Sequence, residues 1–158
     1  MAGSCTFWRK RNDAGMDDVL ARARAFITAL PHSRALGMQV DRFGEGHAVL
    51  SMPWDARLVG DPATGVLHGG AISALIDTAS GASVMSHPSG PTSTATLDLR
   101  IDYMRPATPG QTVTAHAHCF HITRTVAFIR VTATDDDKDR PVATGAAAFT
   151  LTGGAGQP

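Results

Sequence analysis

His68, Gly69, Gly70 and Asp77 are the residues of this chain whose types and spacing carry chemistry. They lie in LHGGAISALIDTASGASVM, residues 67–85. Two glycines at a helix start leave the first backbone N–H groups uncovered, so a carbonyl oxygen or an anion can approach the positive end closely. Asp77 adds a carboxylate, able to act as general base or as nucleophile. Its helical neighbours are Gly70, Ser73, Ala74, Ser80 and Gly81, all too small to hide it and none a cation. Acyl transfer needs both parts. One N–H aimed at a developing oxyanion is worth about 10²–10³ in rate, and a base about 10²–10⁴. Counting nine residues from the helix start to Asp77, the two parts stand roughly 13 Å apart on opposite faces. A small acyl carbon cannot touch both. The expectation is a shared site, with the helix start of one subunit facing Asp77 of another.

The elements that position these groups follow from periodicity. Ile72, Leu75, Ile76, Ala79 and Ser83 repeat at three and four residues, one buried helical stripe. His87-Pro88 ends that helix. Upstream, Met16 to Leu30 reads as a first helix with Leu20, Ala23, Ile27 and Leu30 on one face, stopped by Pro31. Two strands follow, with Leu36, Met38 and Val40 alternating, then Ala48, Leu50 and Met52, around a turn at Phe43 to His47. Asp55 to Val66 reads as a loop delivering the chain to the central helix. Downstream, Thr92 to Arg105 reads as a long strand with Ala95, Leu97, Leu99, Ile101 and Tyr103 on its core face. Strands over Thr112 to Ile122, Thr125 to Thr134 and Val142 to Leu151 complete an antiparallel sheet covered by one helix, an α+β fold.

Composition narrows the function classes. The 158 residues suit one domain, here 16–152, between flexible tails at 1–15 and 153–158. Lys plus Arg and Asp plus Glu both number 14, which argues against nucleic acid as a partner. No apolar run is long enough for a membrane span, and no secretory signal opens the chain. Cys5 and Cys119 have neither metal spacing nor a disulfide framework, which fits a reducing, cytoplasmic setting.

Leu67-His68-Gly69-Gly70, with Asp77 nine positions after the histidine, resembles the hotdog-fold acyl-CoA thioesterases, most closely the PaaI type. Residues 96–107, TLDLRIDYMRPA, share that resemblance, which spans roughly Arg34 to Thr152. It implies an antiparallel sheet wrapped around the long central helix, with an extra helix before it. It implies hydrolysis of an acyl-CoA thioester to acid and coenzyme A, with Asp77 as base or nucleophile and the Gly69 N–H polarising the carbonyl. No cofactor is implied, coenzyme A being part of the substrate. The site would lie at a homodimer interface, with a dimer of dimers as the expected assembly. Thr96 sits where the family places a Ser or Thr that holds the attacking water. Many relatives carry an Asn six residues before the histidine. Here that position is Pro62, so the contact is missing or Asp61 supplies it.

Further candidates are carried beside alternatives. His68 reads as a general base or, preferably, as a residue that shapes the loop and hydrogen-bonds backbone. Gly70 is carried with Gly69 as a thioester-binding position. Arg105, Arg124 and Arg140 at strand ends are candidates for the coenzyme A phosphates. Arg9, Lys10 and Arg11 read as a solvated basic tail, and Asp135 to Asp137 as a solvated turn. His116 and His118, at i, i+2 with His121 nearby, could start a metal site, but no third ligand has convincing spacing, and a solvated or packed strand face is the reading preferred. No G-x-S-x-G elbow is present. Two alternatives stand beside the hydrolase: a hydratase or dehydratase on the same fold, and a non-catalytic acyl-CoA-binding module.

Overall fold

The computed structural model describes residues 18–89 and 91–152. The expected tails, the basic run Arg9 to Arg11, Cys5 and the first residues of the N-terminal helix lie outside them. Helix α1 covers residues 18–29. Its Ala23 and Ile27 are buried, as the pattern predicts, but Leu30 lies beyond the helix and is exposed. Pro31 does more than stop α1, because it opens a second short helix, α2, at Pro31–Ala35. Proline suits a first helical position, where its missing N–H would have no partner anyway. Leu36 is therefore the C-cap of α2 and not a strand residue.

The sheet strands are β1 (Gln39–Gly44), β2 (His47–Met52), β5 (Ser93–Tyr103), β6 (Val113–Ile122), β7 (Val126–Thr134) and β8 (Ala143–Thr152). They pair antiparallel in the order β1-β2-β6-β7-β8-β5. The expected loop over Asp55 to Val66 has structure of its own. A 3-10 turn at Ala56–Leu58 leads into a small hairpin of β3 (Val59–Asp61) and β4 (Val66–Leu67). That hairpin hands the chain directly to α3, Gly69–Met85.

Helix α3 packs against all six strands of the large sheet. The reason lies in side-chain size. Ala48, Ala115, Ala117, Ala127, Ala133, Ala143 and Ala147 line the inner face and are buried. Small residues there let the sheet curl close around the helix, whose Leu75, Ile76 and Val84 are fully enclosed. The five positions of the expected α3 stripe are all buried. No helix among the described residues is long and apolar enough to cross a membrane.

Strand β5 differs from its expected alternation. A bulge between Thr96 and Asp98 slips the register, leaving Leu97 57% exposed. One extra residue reverses which side chains face the core. Thr96 opposes the buried Phe149 and shares the inward face with Leu99 and Ile101, while Leu97 points out. β5 is also an edge strand, with β8 on one side only.

Candidate active site

The N-terminus of α3 is built by its own first residues. His68 is the N-cap, and its Nδ1 accepts the Gly70 N–H at 2.9 Å. A Cβ at Gly70 would lie 2.9 Å from that nitrogen, so only glycine leaves room for the cap. The bond also spends the imidazole lone pair, which favours the loop-shaping reading of His68 over a general base. The His68 carbonyl takes the Ala71 N–H. Gly69 N–H then has no hydrogen-bond partner among the described residues and stands at the positive end of the helix.

Tyr103, at the end of β5, closes this corner. Its hydroxyl donates to the Gly69 carbonyl at 2.6 Å and accepts from Ser73 Oγ at 2.8 Å. The peptide joining Gly69 to Gly70 is thus held from both sides, its C=O by Tyr103 and its N–H by His68. Ser73 and Tyr103 were not among the candidates from sequence. The signal available was the i, i+4, i+8 spacing of Gly69, Ser73 and Asp77 on one helix.

Asp77 projects from the same side of α3 onto the same strand. Thr96 Oγ1 donates to Asp77 Oδ1 at 2.8 Å, so the bulge in β5 delivers this threonine to the carboxylate. The expectation that helix start and acid lie on opposite faces is corrected here. The nine-residue step runs from His68, whereas Gly69 precedes Asp77 by eight. Eight residues turn through only about 80° beyond two full turns, which brings both to β5. The axial separation survives, at about 12 Å.

Two small cavities, of about 330 and 360 Å³, flank the helix start, one beside His68 and Gly70 and the other beside Gly69 and Tyr103. Asp77 and Thr96 instead border a cavity of about 710 Å³ between α1, α3 and the first half of β5. Gly69 at the helix start and the Asp77 carboxylate of one chain therefore border different spaces.

Other expected site residues are placed elsewhere. Asp61 is exposed and folds its carboxylate onto its own hairpin turn, accepting from Ala63 N–H at 3.0 Å and from Thr64 Oγ1 at 2.7 Å. Those bonds hold its carboxyl below the ordinary range, the Thr64 hydroxyl first. Arg105 corrects the phosphate-clamp expectation. All its guanidinium N–H donors are spent on the Asp135 carboxylate and on the carbonyls of Pro106 and Arg140, at 2.6–3.1 Å. Asp135 is fully buried, so the expected solvated turn is instead the anchor of this corner. Arg140 is exposed and pairs with Asp137 at 2.7 Å. Arg124 lies on the β6–β7 turn, at the other end of the sheet from Arg105 and Arg140. Cys119 is buried as expected, and burial pushes its thiol up to about 11. His118 stacks on His47, ring centroids 4.0 Å apart, and no metal-holding cluster of His, Cys, Asp or Glu occurs among the described residues.

A sheet curled around one long helix, with a bare helix start and a threonine-held carboxylate at a cavity, defines a hotdog-fold hydrolase of the thioester class. The profile of the thioesterase superfamily matches residues 64–142, which include every group of the helix-start and carboxylate sites. The chain belongs to that superfamily. It is 31% identical over 119 residues to the medium/long-chain acyl-CoA thioesterase YigI of Escherichia coli, covering 67% of this chain and 76% of the relative. Among solved structures, a protein of Pseudomonas aeruginosa superposes with TM-score 0.74 at 41% identity, covering 83% of this chain and 97% of the other. A variant of the phenylacetic acid degradation protein PaaI of Thermus thermophilus superposes with TM-score 0.67 at 29% identity, over 76% and 97%.

Proposed function

We propose that this protein hydrolyses acyl-CoA thioesters to the free acid and coenzyme A, at sites shared between two subunits. The observation that carries the reading is the Thr96–Asp77 hydrogen bond at the mouth of the large cavity. With Oδ1 engaged by Thr96, Oδ2 of Asp77 is left to take a proton from water, and the Thr96 oxygen can accept from that same water. Hydroxide adds to the thioester carbonyl, and the negative oxygen is met by the Gly69 N–H of the partner subunit. The tetrahedral adduct collapses, the C–S bond breaks, and the coenzyme A thiolate takes up the proton. In the alternative course Asp77 itself adds to the carbonyl, expels the thiolate and forms an anhydride that water then opens.

Sharing follows from length. A separation of about 12 Å along α3 is too great for one carbonyl group to contact Gly69 and Asp77 of the same chain. The open edge of β5 supports the dimer, since an 11-residue edge strand with exposed Leu97 offers a free hydrogen-bonding row. Pairing β5 with its copy would bring two α3 helices side by side. A dimer of dimers is the assembly proposed above that. Asp77, Thr96 and Gly69 carry the chemistry, Gly70 and His68 shape the donor, and Asp61, Arg124 and Arg140 are left as candidates for the coenzyme A portion.

The test is release of free thiol from acetyl-, butanoyl-, decanoyl-, palmitoyl- and phenylacetyl-CoA by wild type, Asp77→Asn and Asp77→Ala. Wild type should release thiol from at least one, and both variants should lose about 100-fold or more. Absence of thiol release from every thioester would remove the function. Full activity in Asp77→Ala would remove the mechanism. Sedimentation at assay concentration should show no active monomer.

A further inference from the structure

The cavity beside Asp77 is larger than proton transfer requires. Its volume is about 710 Å³, and its walls are mostly apolar. Val19, Ala23, Phe26, Ile27 and Leu30 contribute one wall from α1 and the residue after it. Their spacing of four, three, one and three is a helical stripe, so one whole face of α1 is turned to this space. Phe43 and Phe149 add aromatic rings from the sheet. Val19, Phe26, Leu30 and Met85 are all at least 36% exposed, although large apolar side chains gain by leaving water. Four such residues around one cavity mark a surface that an apolar ligand can complete.

The axis of the cavity is set by two rulers. Asp77, Gly81 and Met85 stand at i, i+4 and i+8 along α3, and all three line it. Thr96 back to Ser93 on β5, and Thr92 just before it, line it beside the helix. Eight helical residues span about 12 Å, and four strand residues about 13 Å. The polar groups Asp77 and Thr96 stand at one end, and Met85 and Thr92 at the other. Gly81 has no side chain midway, which keeps the passage open. A Cβ there would meet Phe149 Cε1 at 3.4 Å, and anything larger must enter the cavity.

We infer that this cavity binds the alkyl chain of the substrate, with α1 as its outer wall and Gly81, Met85 and Phe26 setting the length accepted. The inference rests on the acyl-CoA hydrolase reading. An extended chain advances about 1.2 Å per bond, so a length of about 12 Å holds roughly ten carbons. The preferred substrates are therefore medium-chain, unbranched acyl-CoAs. Within that length each added methylene enters apolar surroundings and raises kcat/KM by about fourfold.

The experiment measures kcat/KM for even-numbered acyl-CoAs from butanoyl to palmitoyl with wild type, Gly81→Leu and Phe26→Ala. It also measures binding of decyl-CoA, a thioether that cannot be hydrolysed. Wild type should climb to a maximum near decanoyl and then level or fall. Gly81→Leu, which places a better helix former on α3, should cut the decanoyl-to-butanoyl ratio by about 100-fold and weaken decyl-CoA accordingly. Phe26→Ala, at an exposed position that folding does not need, should cut that ratio about 10-fold. A flat wild-type profile, or ratios unchanged in both variants, would overturn the assignment. Hydrolysis of acyl-CoA with a flat profile would leave the proposed function standing and remove only the alkyl site. No hydrolysis of any thioester, with decyl-CoA still bound in a Gly81-dependent way, would keep the site and remove the enzyme reading.

Discussion

Removing the Asp135 carboxylate should damage the fold far more than the recognition of coenzyme A. Asp135 is fully buried and accepts from two Arg105 nitrogens at 2.6 and 2.7 Å, from Thr108 N–H and Oγ1, and from Asp137 N–H. Arg105 in turn ties the exit of β5 to the entry of β8 through the Arg140 carbonyl. The side chain of Arg105 is only 19% exposed. Asp135→Asn keeps the shape but leaves a mostly buried guanidinium without its paired carboxylate, which costs about 3–5 kcal/mol. That is a large share of a typical net stability of about 5–15 kcal/mol. For a chain of this size it corresponds to a fall in Tm of about 10 °C. Urea unfolding at fixed protein concentration reads the loss directly. The double variant Arg105→Met with Asp135→Leu should recover much of it, because well-packed apolar pairs often match a buried ion pair. The sign with pH follows from Asp135. The Arg105 guanidinium, ahead of the Thr108 and Asp137 bonds, holds its carboxyl well below the ordinary carboxylate range. Its contribution is therefore complete above that range and is lost as pH falls through the depressed value. If Asp135→Asn left the urea midpoint unchanged while raising KM for acyl-CoA tenfold, Arg105 would be a phosphate clamp after all and the reasoning here would be wrong.

Two more expectations concern the helix start and the outer sheet. Tyr103→Phe removes the hydroxyl that holds the Gly69 carbonyl, so kcat should fall about 10-fold, part of the 10²–10³ that a whole oxyanion donor supplies; KM should barely move, and a Tm drop without any kcat change would disprove a positioning role. Burial, then His118 and Arg42, push the His47 imidazole below its ordinary value, and burial does the same to His116. Stability from these two groups is complete above their unfolded value and fades as pH falls through and below it. Thermal unfolding should therefore show a lower Tm at pH 5.5 than at pH 7.5, with a smaller difference in His47→Gln.

The primary sequence by itself determined the order of α1, α3 and the six strands of the large sheet, the buried stripe of α3 and the presence of a carboxylate two turns after a glycine-opened helix start. These are local matters. Periods of two and 3.6 are imprinted by burial on one face, and the residue types and spacing of Gly69, Gly70 and Asp77 stand within one short stretch of sequence. The small hairpin before α3 was less legible, because strands of three and two residues are too short to show a period.

Tertiary structure decided which groups meet. The bulge at Leu97 turns Thr96 inward to Asp77, and alternation alone would have pointed it away. A one-residue slip inverts the side chains on one side of the bulge relative to those on the other, and nothing in the strand's own residues announces it. Arg105 and Asp135 are 30 residues apart, and only the return of β8 between β5 and β7 brings them into contact. A charge at the end of a strand reads as solvated until its partner's burial is known. The cavity along Gly81 is likewise bordered jointly by α1, α3 and β5, set by packing between distant segments, and no one of them carries it alone.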